Sequence, residues 1–220
     1  MSNIVRVSPD LAEKVRSAVI DWYSGFGRRF EWREETDPYR ILVAEMLLRR
    51  TTASAVSRVY RSLVQRYPSP GMLASADVSE LTTIVCSLGL QRVRVRDLLT
   101  TSKILVEKYG GSVPADYDAL LALPGLGPYG ASAVLNFAFG VPRPLVDGNV
   151  LHFLRRVFDI HFSGPHDTEA WAIMSDIGGL HDRRFYWGII DLVATVCLRR
   201  NPRCARCPVQ GHCFYASSSR

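Results

Sequence analysis

The sequence predicts an all-α protein. Three observations carry that reading: apolar residues recur at three- and four-residue spacing through most of the chain, two-residue alternation is scarce, and helix start and stop signals bracket the periodic stretches. Residues 10–23 form the first predicted helix, entered through Ser8 and Pro9. Residues 39–50 and 52–67 follow, the second opening on the Thr51-Thr52 cap candidates. Short helices are expected at 71–76 and 79–86. The amphipathic stretch 97–109 stops at Gly110-Gly111, where glycine accepts the left-handed backbone of a helix end. Further helices are expected at 117–123, 129–139, 149–158, 168–177 and 184–199. No repeat or low-complexity segment interrupts them, and the two prolines between Gly140 and Pro144 make that stretch the best hinge candidate.

At 220 residues the chain has room for one large domain or two small ones, each with a core. No run approaches the ~20 apolar residues of a membrane span, and MSNIVRVSPD lacks the apolar centre of a signal peptide. A cytoplasmic protein is expected. The net charge of +6 fits either a soluble surface or a nucleic-acid partner. Lys14, Lys103 and Lys108 are the only lysines. Arginine suits bidentate phosphate contact, and a GC-rich genome produces the same bias.

Cys197, Cys204, Cys207 and Cys213 form the pattern C-x6-C-x2-C-x5-C, while Cys86 stands far away in an apolar stretch and is expected in the core. Disulfides are disfavoured in a cytoplasmic chain, which leaves zinc or an iron–sulfur cluster. Zinc sites usually pair two short knuckles, and this loop has one. Arg199, Arg200, Arg203 and Arg206 interleave with the cysteines; they are either a solvated surface or cations offered to phosphates. The five histidines, His152, His161, His166, His181 and His212, show no ligand spacing.

The stretch LPGLGPYGASAV, residues 123–134, concentrates glycine and proline between two predicted helices. Gly125 and Gly127 are expected to take positive φ and bring bare backbone close to a ligand. The next helix is expected to begin near Tyr129, and a helix N-terminus binds phosphate through its unpaired N–H groups and its dipole.

Taken in order, the hairpin LPGLGPYG, the segment LVDGNV and the cysteine loop resemble the helix-hairpin-helix, Gly/Pro…Asp superfamily of base-excision DNA glycosylases. The 6-2-5 cysteine spacing resembles the 4Fe–4S loop of its endonuclease III-like members. The resemblance spans residues 30–213. It implies a two-domain endonuclease III-like fold, with a six-helix domain at about 25–138 carrying the hairpin. Residues 1–24 and 139–220 would form the cluster domain, with the active cleft between the two. It further implies a 4Fe–4S cofactor on the four cysteines, double-stranded DNA as partner, a monomer on that DNA and a nucleoid-associated location.

Asp147 matches the family's catalytic aspartate, whose carboxylate stabilises positive charge on the sugar or guides water as the glycosidic bond breaks. Glu45, in VAEMLLRRTTA, matches the base-pocket glutamate, and partial burial would raise its pKa and let it protonate the leaving base. Tyr129 stands where strand-cleaving relatives keep a Schiff-base lysine, which implies a monofunctional enzyme without strong lyase activity. Asn149 matches a polar neighbour of the aspartate; a helix-start residue is the plain alternative. Arg50 and the loop Leu90-Gln91-Arg92 match the positions that fill the gap left by a flipped base. Arg92, Arg94 and Arg96 read equally as a solvated basic face.

Two relatives compete for the substrate. GPYG and VDGN look like adenine-DNA glycosylases acting opposite 8-oxoguanine. EMLLRRTTA looks like mismatch thymine-DNA glycosylases, which remove T or U opposite G. Adenine enzymes typically read Q-Q-T at Arg49-Arg50-Thr51, carry an aromatic pair where Gln91 and Arg92 stand, and continue into a further domain. These departures favour the mismatch enzyme, with the adenine enzyme as the alternative. A non-catalytic iron–sulfur DNA binder is a third reading, opposed by two carboxylates that a phosphate binder has no use for.

Overall fold

A computed structural model describes residues 7–178 and 182–218; His181 lies outside them. Thirteen α-helices and several 3-10 turns make up the described residues, with no strand among them. The chain forms two compact units, Met1–Arg28 with Pro142–Arg220, and Arg29–Val141. The change of unit falls inside the predicted hinge, just after Gly140 ends a helix in the left-handed conformation (φ +63°).

The Arg29–Val141 unit contains α2 (Pro38–Leu48), α3 (Ala53–Ser57), α4 (Tyr60–Arg66), α5 (Pro70–Ala74), α6 (Val78–Val85), α7 (Gln91–Tyr109), α8 (Tyr117–Leu121) and α9 (Pro128–Phe139). The predicted helix at 52–67 is two helices, because the backbone turns at Arg58 and Val59 before Tyr60 resumes. Helix α7 begins six residues ahead of the predicted start at 97. Its polar first two turns, QRVRVR, hide the apolar period, and the buried Arg94 and Val95 explain why they are helical. Helix α2 is buried almost all round, from Tyr39 to Leu47, and packs on α9 and α7. Leu47, Val56, Leu63, Leu81, Leu105 and Leu120 are fully buried around it. The Phe30 ring stacks on Trp32 at 4.7 Å, and Trp32 meets Tyr60 edge-on, closing one end of this core. Cys86 is exposed, contrary to expectation: the buried stripe runs through Leu81, Val85 and Leu88, and Cys86 faces away from it.

The other unit contains α1 (Pro9–Phe26), α10 (Gly148–Phe158), α11 (Thr168–Ile177), α12 (Arg183–Thr195) and the short α13 (Phe214–Ser218). Helix α12 ends four residues before the predicted limit of 199, because the chain leaves the helix to enter the cysteine loop. Helix α13 is too short to show a period and went unpredicted. Ser8 caps α1 through Leu11 N–H, and Pro9 occupies the first helical position, where a missing N–H costs nothing. Val15 and Val19 of α1 are fully buried, and Gly188 of α12 brings the two helices together. A Cβ at Gly188 would stand 2.6 Å from Val19 Cγ1.

Asp191 on α12 is fully buried and accepts from the Arg28 backbone N–H at 2.6 Å and from its guanidinium at 2.7 and 2.8 Å. Asp191→Ala removes the acceptor of the Arg28 backbone N–H and of its half-exposed guanidinium, and is expected to destabilise the protein by about 1–3 kcal/mol, measured by chemical denaturation; a loss within 0.5 kcal/mol of zero would refute the pair's role.

Candidate DNA-repair site

In the Arg29–Val141 unit, α8, the loop 122–127 and α9 form a helix-hairpin-helix. Asp116 caps α8 by accepting from Ala119 N–H at 2.8 Å. Gly125 takes φ +89°, whereas Gly127 is extended (φ −122°, ψ −172°), a correction to the expectation of two left-handed glycines. Gly127 serves instead as the N-cap of α9 with no side-chain cap, and Pro128 takes the first helical position. A Cβ at Gly125 would lie 3.0 Å from Asp97 Cβ and 3.2 Å from Met46 Cε, so this position needs glycine for space as well as for φ. Thr101 Oγ1 donates to the Pro124 carbonyl at 2.8 Å from beneath.

Tyr129 is the half-buried second residue of α9, and α9 packs on α2, which carries Glu45. Glu45 is half-buried while Ile41 to Ala44, Met46 and Leu47 are buried, so one carboxyl-bearing position opens on an otherwise apolar helix. Arg50 follows at the exposed turn after α2, with φ +56°. Leu90, φ +52°, is the N-cap of α7 and 46% exposed; Gln91 and Arg92 are exposed beside it. Positive φ is uncommon for residues other than glycine, and two of the four such residues among those described are Arg50 and Leu90.

The basic run on α7 is not a uniformly solvated face. Arg92 and Arg96 are exposed, but Arg94 is buried and donates to the carbonyls of Met46, Leu47 and Arg49 at 2.7, 2.9 and 3.1 Å. Buried Asp97 binds Arg49 at 2.8 Å and Arg96 at 2.9 Å.

In the other unit Asp147 is the N-cap of α10. Its Oδ1 accepts from Asn149 N–H at 2.9 Å and Val150 N–H at 2.8 Å, and its Oδ2 accepts from Asn149 Nδ2 at 2.8 Å. Asn149 thus has a defined task, holding the second carboxylate oxygen. Burial raises the Asp147 carboxyl above the ordinary carboxylate range, while these three hydrogen bonds and the Arg199 guanidinium pull it back down. Ionised Asp147 is accordingly a desolvated charge at the positive end of a helix.

The same helix is stapled to the cysteine loop. Arg156 donates to the Leu198 and Arg199 carbonyls at 2.8 and 3.1 Å, and His152 Nε2 lies 2.9 Å from the Cys197 carbonyl. Arg199 donates to the Gly148 carbonyl at 3.2 Å, beside Asp147. His152 and Arg156 carry no sequence motif; their four-residue spacing on one helix face was the available signal. Arg199, Arg200, Arg203 and Arg206 are all exposed.

Cys197, Cys204, Cys207 and Cys213 line one small pocket, together with Val196 and Tyr215. Four thiols around a shared space are a soft, all-thiolate donor set, the ligand chemistry of iron–sulfur clusters. Burial pushes the Cys197 thiol up and that of Cys207 to about 12, a cost that bound iron removes by replacing the protons.

This helix-hairpin-helix, followed by a capped aspartate and a cysteine loop, is the arrangement of a base-excision repair protein. The chain belongs to the HhH-GPD superfamily of base excision DNA repair proteins, whose family model matches residues 43–174. Residues 197–213 match the iron–sulfur binding domain of endonuclease III, and the four cysteines hold a 4Fe–4S cluster. The chain is 39% identical to the thymine/uracil-DNA glycosylase of Pyrobaculum aerophilum over 94% of each chain. It is 29% identical to the adenine DNA glycosylase of Buchnera aphidicola, covering 89% of this chain and 56% of that protein. A solved structure of a thermostable thymine-DNA glycosylase matches at a TM-score of 0.88 and 30% identity, over 95% of this chain and 98% of that one. Its all-α, endonuclease III-like fold is thus as predicted.

Cys204→Ala is expected to remove the visible absorbance of the cluster and lower the melting temperature, read by spectroscopy and calorimetry on one sample; undiminished absorbance would exclude Cys204 as a ligand. Gly125→Ala combines a left-handed non-glycine residue, costing ~1–2 kcal/mol, with the Asp97 contact. It is expected to weaken DNA binding in a mobility-shift titration while α8 and α9 stay folded by circular dichroism.

Proposed function

We propose that this protein is a monofunctional DNA N-glycosylase that releases thymine or uracil from G·T and G·U mismatches by flipping the base and hydrolysing its glycosidic bond. The observation that carries the chemistry is the Asp147 carboxylate. Three donors fix it at a half-buried helix cap, where partial desolvation strengthens its field. Such a charge acts most strongly on the sugar cation that develops as the base departs. Glu45 meets the base from the apolar surface of α2, and Tyr129 shapes the pocket at the start of α9. Tyr129 cannot form a Schiff base, and none of the three lysines falls within the hairpin segment of the sequence, so the product is an abasic site and an intact strand. Gly125 and the uncapped start of α9 hold a DNA phosphate, and Arg50 with Leu90-Gln91-Arg92 fills the vacated stack. The setting is cytoplasmic and nucleoid-associated, with the protein acting as a monomer on duplex DNA.

Thymine or uracil is favoured over adenine by the Arg49-Arg50-Thr51 stretch and by the higher identity to a thymine/uracil enzyme, 39% against 29% to an adenine enzyme. The adenine reading retains support from GPYG and VDGN. Single-turnover release from labelled duplexes carrying G·T, G·U or A opposite 8-oxoguanine separates the two. Alkali-dependent breaks at T or U are expected; breaks at A alone would install the adenine reading, and breaks without alkali would refute monofunctional chemistry.

Asp147 must be ionised to stabilise a cation, and its pKa is raised. Base release is therefore expected to fall on the acid side with a midpoint above the ~4 of an ordinary carboxyl. The sign for stability is opposite. Burial penalises the charged form, so ionised Asp147 costs stability above its folded pKa, a cost absent below the unfolded value. Asp147→Asn keeps a good cap without the charge. It is expected to abolish base release, keep DNA affinity, and leave the melting temperature at pH 7 unchanged or higher; retained activity would remove Asp147 from its role.

A further inference from the structure

Helix α7 opens on the Leu90 turn and carries three side chains on one face that reach the backbone before Arg50 and the hairpin. Leu90 is itself the cap of α7, and Arg94 N–H returns to the Leu90 carbonyl at 2.9 Å. One turn on, the Arg94 guanidinium takes the carbonyls of Met46, Leu47 and Arg49, which fixes the backbone leading into Arg50. Asp97, three residues further, grips the Arg49 guanidinium from below and lies against Gly125 of the hairpin. Thr101, a turn beyond, holds the Pro124 carbonyl. Arg94, Asp97 and Thr101 are exposed by 2%, 4% and 1%. Each of the three side chains satisfies a local polar group, and together those contacts tie α2 and the hairpin to one helix face.

We infer that Arg94, Asp97 and Thr101 are positioning residues that lock the Arg50 turn and the phosphate-holding hairpin to α7, and so to the Leu90 turn that begins it, in one rigid register. The inference rests on the reading of the protein as a base-flipping glycosylase. Flipping demands that side chains enter the stack at a fixed distance from the point where the backbone is held. Were the turns and the hairpin hung on separate elements, the strain of unstacking would be absorbed by their relative movement. With both on α7, a grip on the phosphate sets the depth of insertion. The left-handed backbone at Arg50 and Leu90 fits this: non-glycine residues stay in that region only where surrounding contacts over-determine them. None of the three residues is placed to touch the reacting atoms.

The test uses the full-length, cluster-bearing protein and the variants Thr101→Val, Arg94→Met and Arg94→Lys. Two duplexes carry a target thymine, one in a G·T pair and one in a single-nucleotide bulge that is already unstacked, each with 2-aminopurine beside it. In the paired duplex, Thr101→Val and Arg94→Met are expected to slow single-turnover release by roughly ten- to hundredfold, the scale of a misplaced contact. The fluorescence rise on binding should shrink with it. In the bulge the same variants should stay near the wild-type rate. Arg94→Lys, which still donates to the carbonyls, should recover part of the paired-duplex rate. Equal losses on both duplexes would mean a general structural defect and overturn the inference, as would wild-type behaviour of both variants on the pair. Thr101→Val removes one hydrogen bond at constant volume, so it decides the matter if Arg94→Met does not fold. If the wild type releases no base from either duplex, the glycosylase reading fails, and fluorescence alone judges the register. A wild-type rise that the variants lose supports it; an absent or unchanged rise overturns it.

Discussion

Helix α2 runs from the buried Met46 and Leu47 out to the exposed Arg50, and its last carbonyls have no helical partner. Left unpaired, a buried carbonyl among them would cost about 1–3 kcal/mol. Arg94 meets that constraint from α7, donating to Met46, Leu47 and Arg49 with a planar group whose donors fan out in fixed directions. Much else in this unit follows from that contact. It holds the carbonyls just before the positive-φ turn at Arg50, and the same helix face goes on to place Asp97 against Arg49 and Thr101 against Pro124. A lysine could not serve three carbonyls in this geometry with one compact ammonium.

The other unit shows the same economy on a second helix. The first residue of α10's cap is Asp147, and its later turns present His152 and Arg156 to the cysteine loop. The loop replies through Arg199 at the Gly148 carbonyl. A loop of irregular backbone cannot by itself hold four thiols around a cavity, since its own polar groups lack regular partners. Anchoring it along α10 supplies those partners and fixes the cap of the same helix. The fold thus ties the cofactor's loop and the carboxylate to one rigid element.

Local signals were legible where chemistry is local. The cysteine spacing, the glycines of the hairpin and the proline-marked hinge are written in consecutive residues, and α8, α9, α10 and α11 lay within a residue or two of expectation at most of their ends. Signals failed where a distant contact overrode them. QRVRVR shows no apolar period, yet is helical because Arg94 finds its carbonyls 45 to 48 residues away. Cys86 looked like core, yet a helical period places it opposite Leu81 and Val85. Gly127 was read with Gly125 as left-handed, whereas only the glycine over Asp97 needs that conformation.

The sequence by itself determined the helical class, the glycine-rich hairpin and the cysteine loop, because each rests on residue type and short spacing, and the aspartate between them was marked by its place in that order. Tertiary structure alone decided which arginine is buried, which carboxylate is desolvated and which helix carries the contact turns. Those properties depend on what lies across a packed interface, and burial turns an ordinary Arg94 into a backbone clamp and an ordinary cap at Asp147 into a charge with a raised pKa.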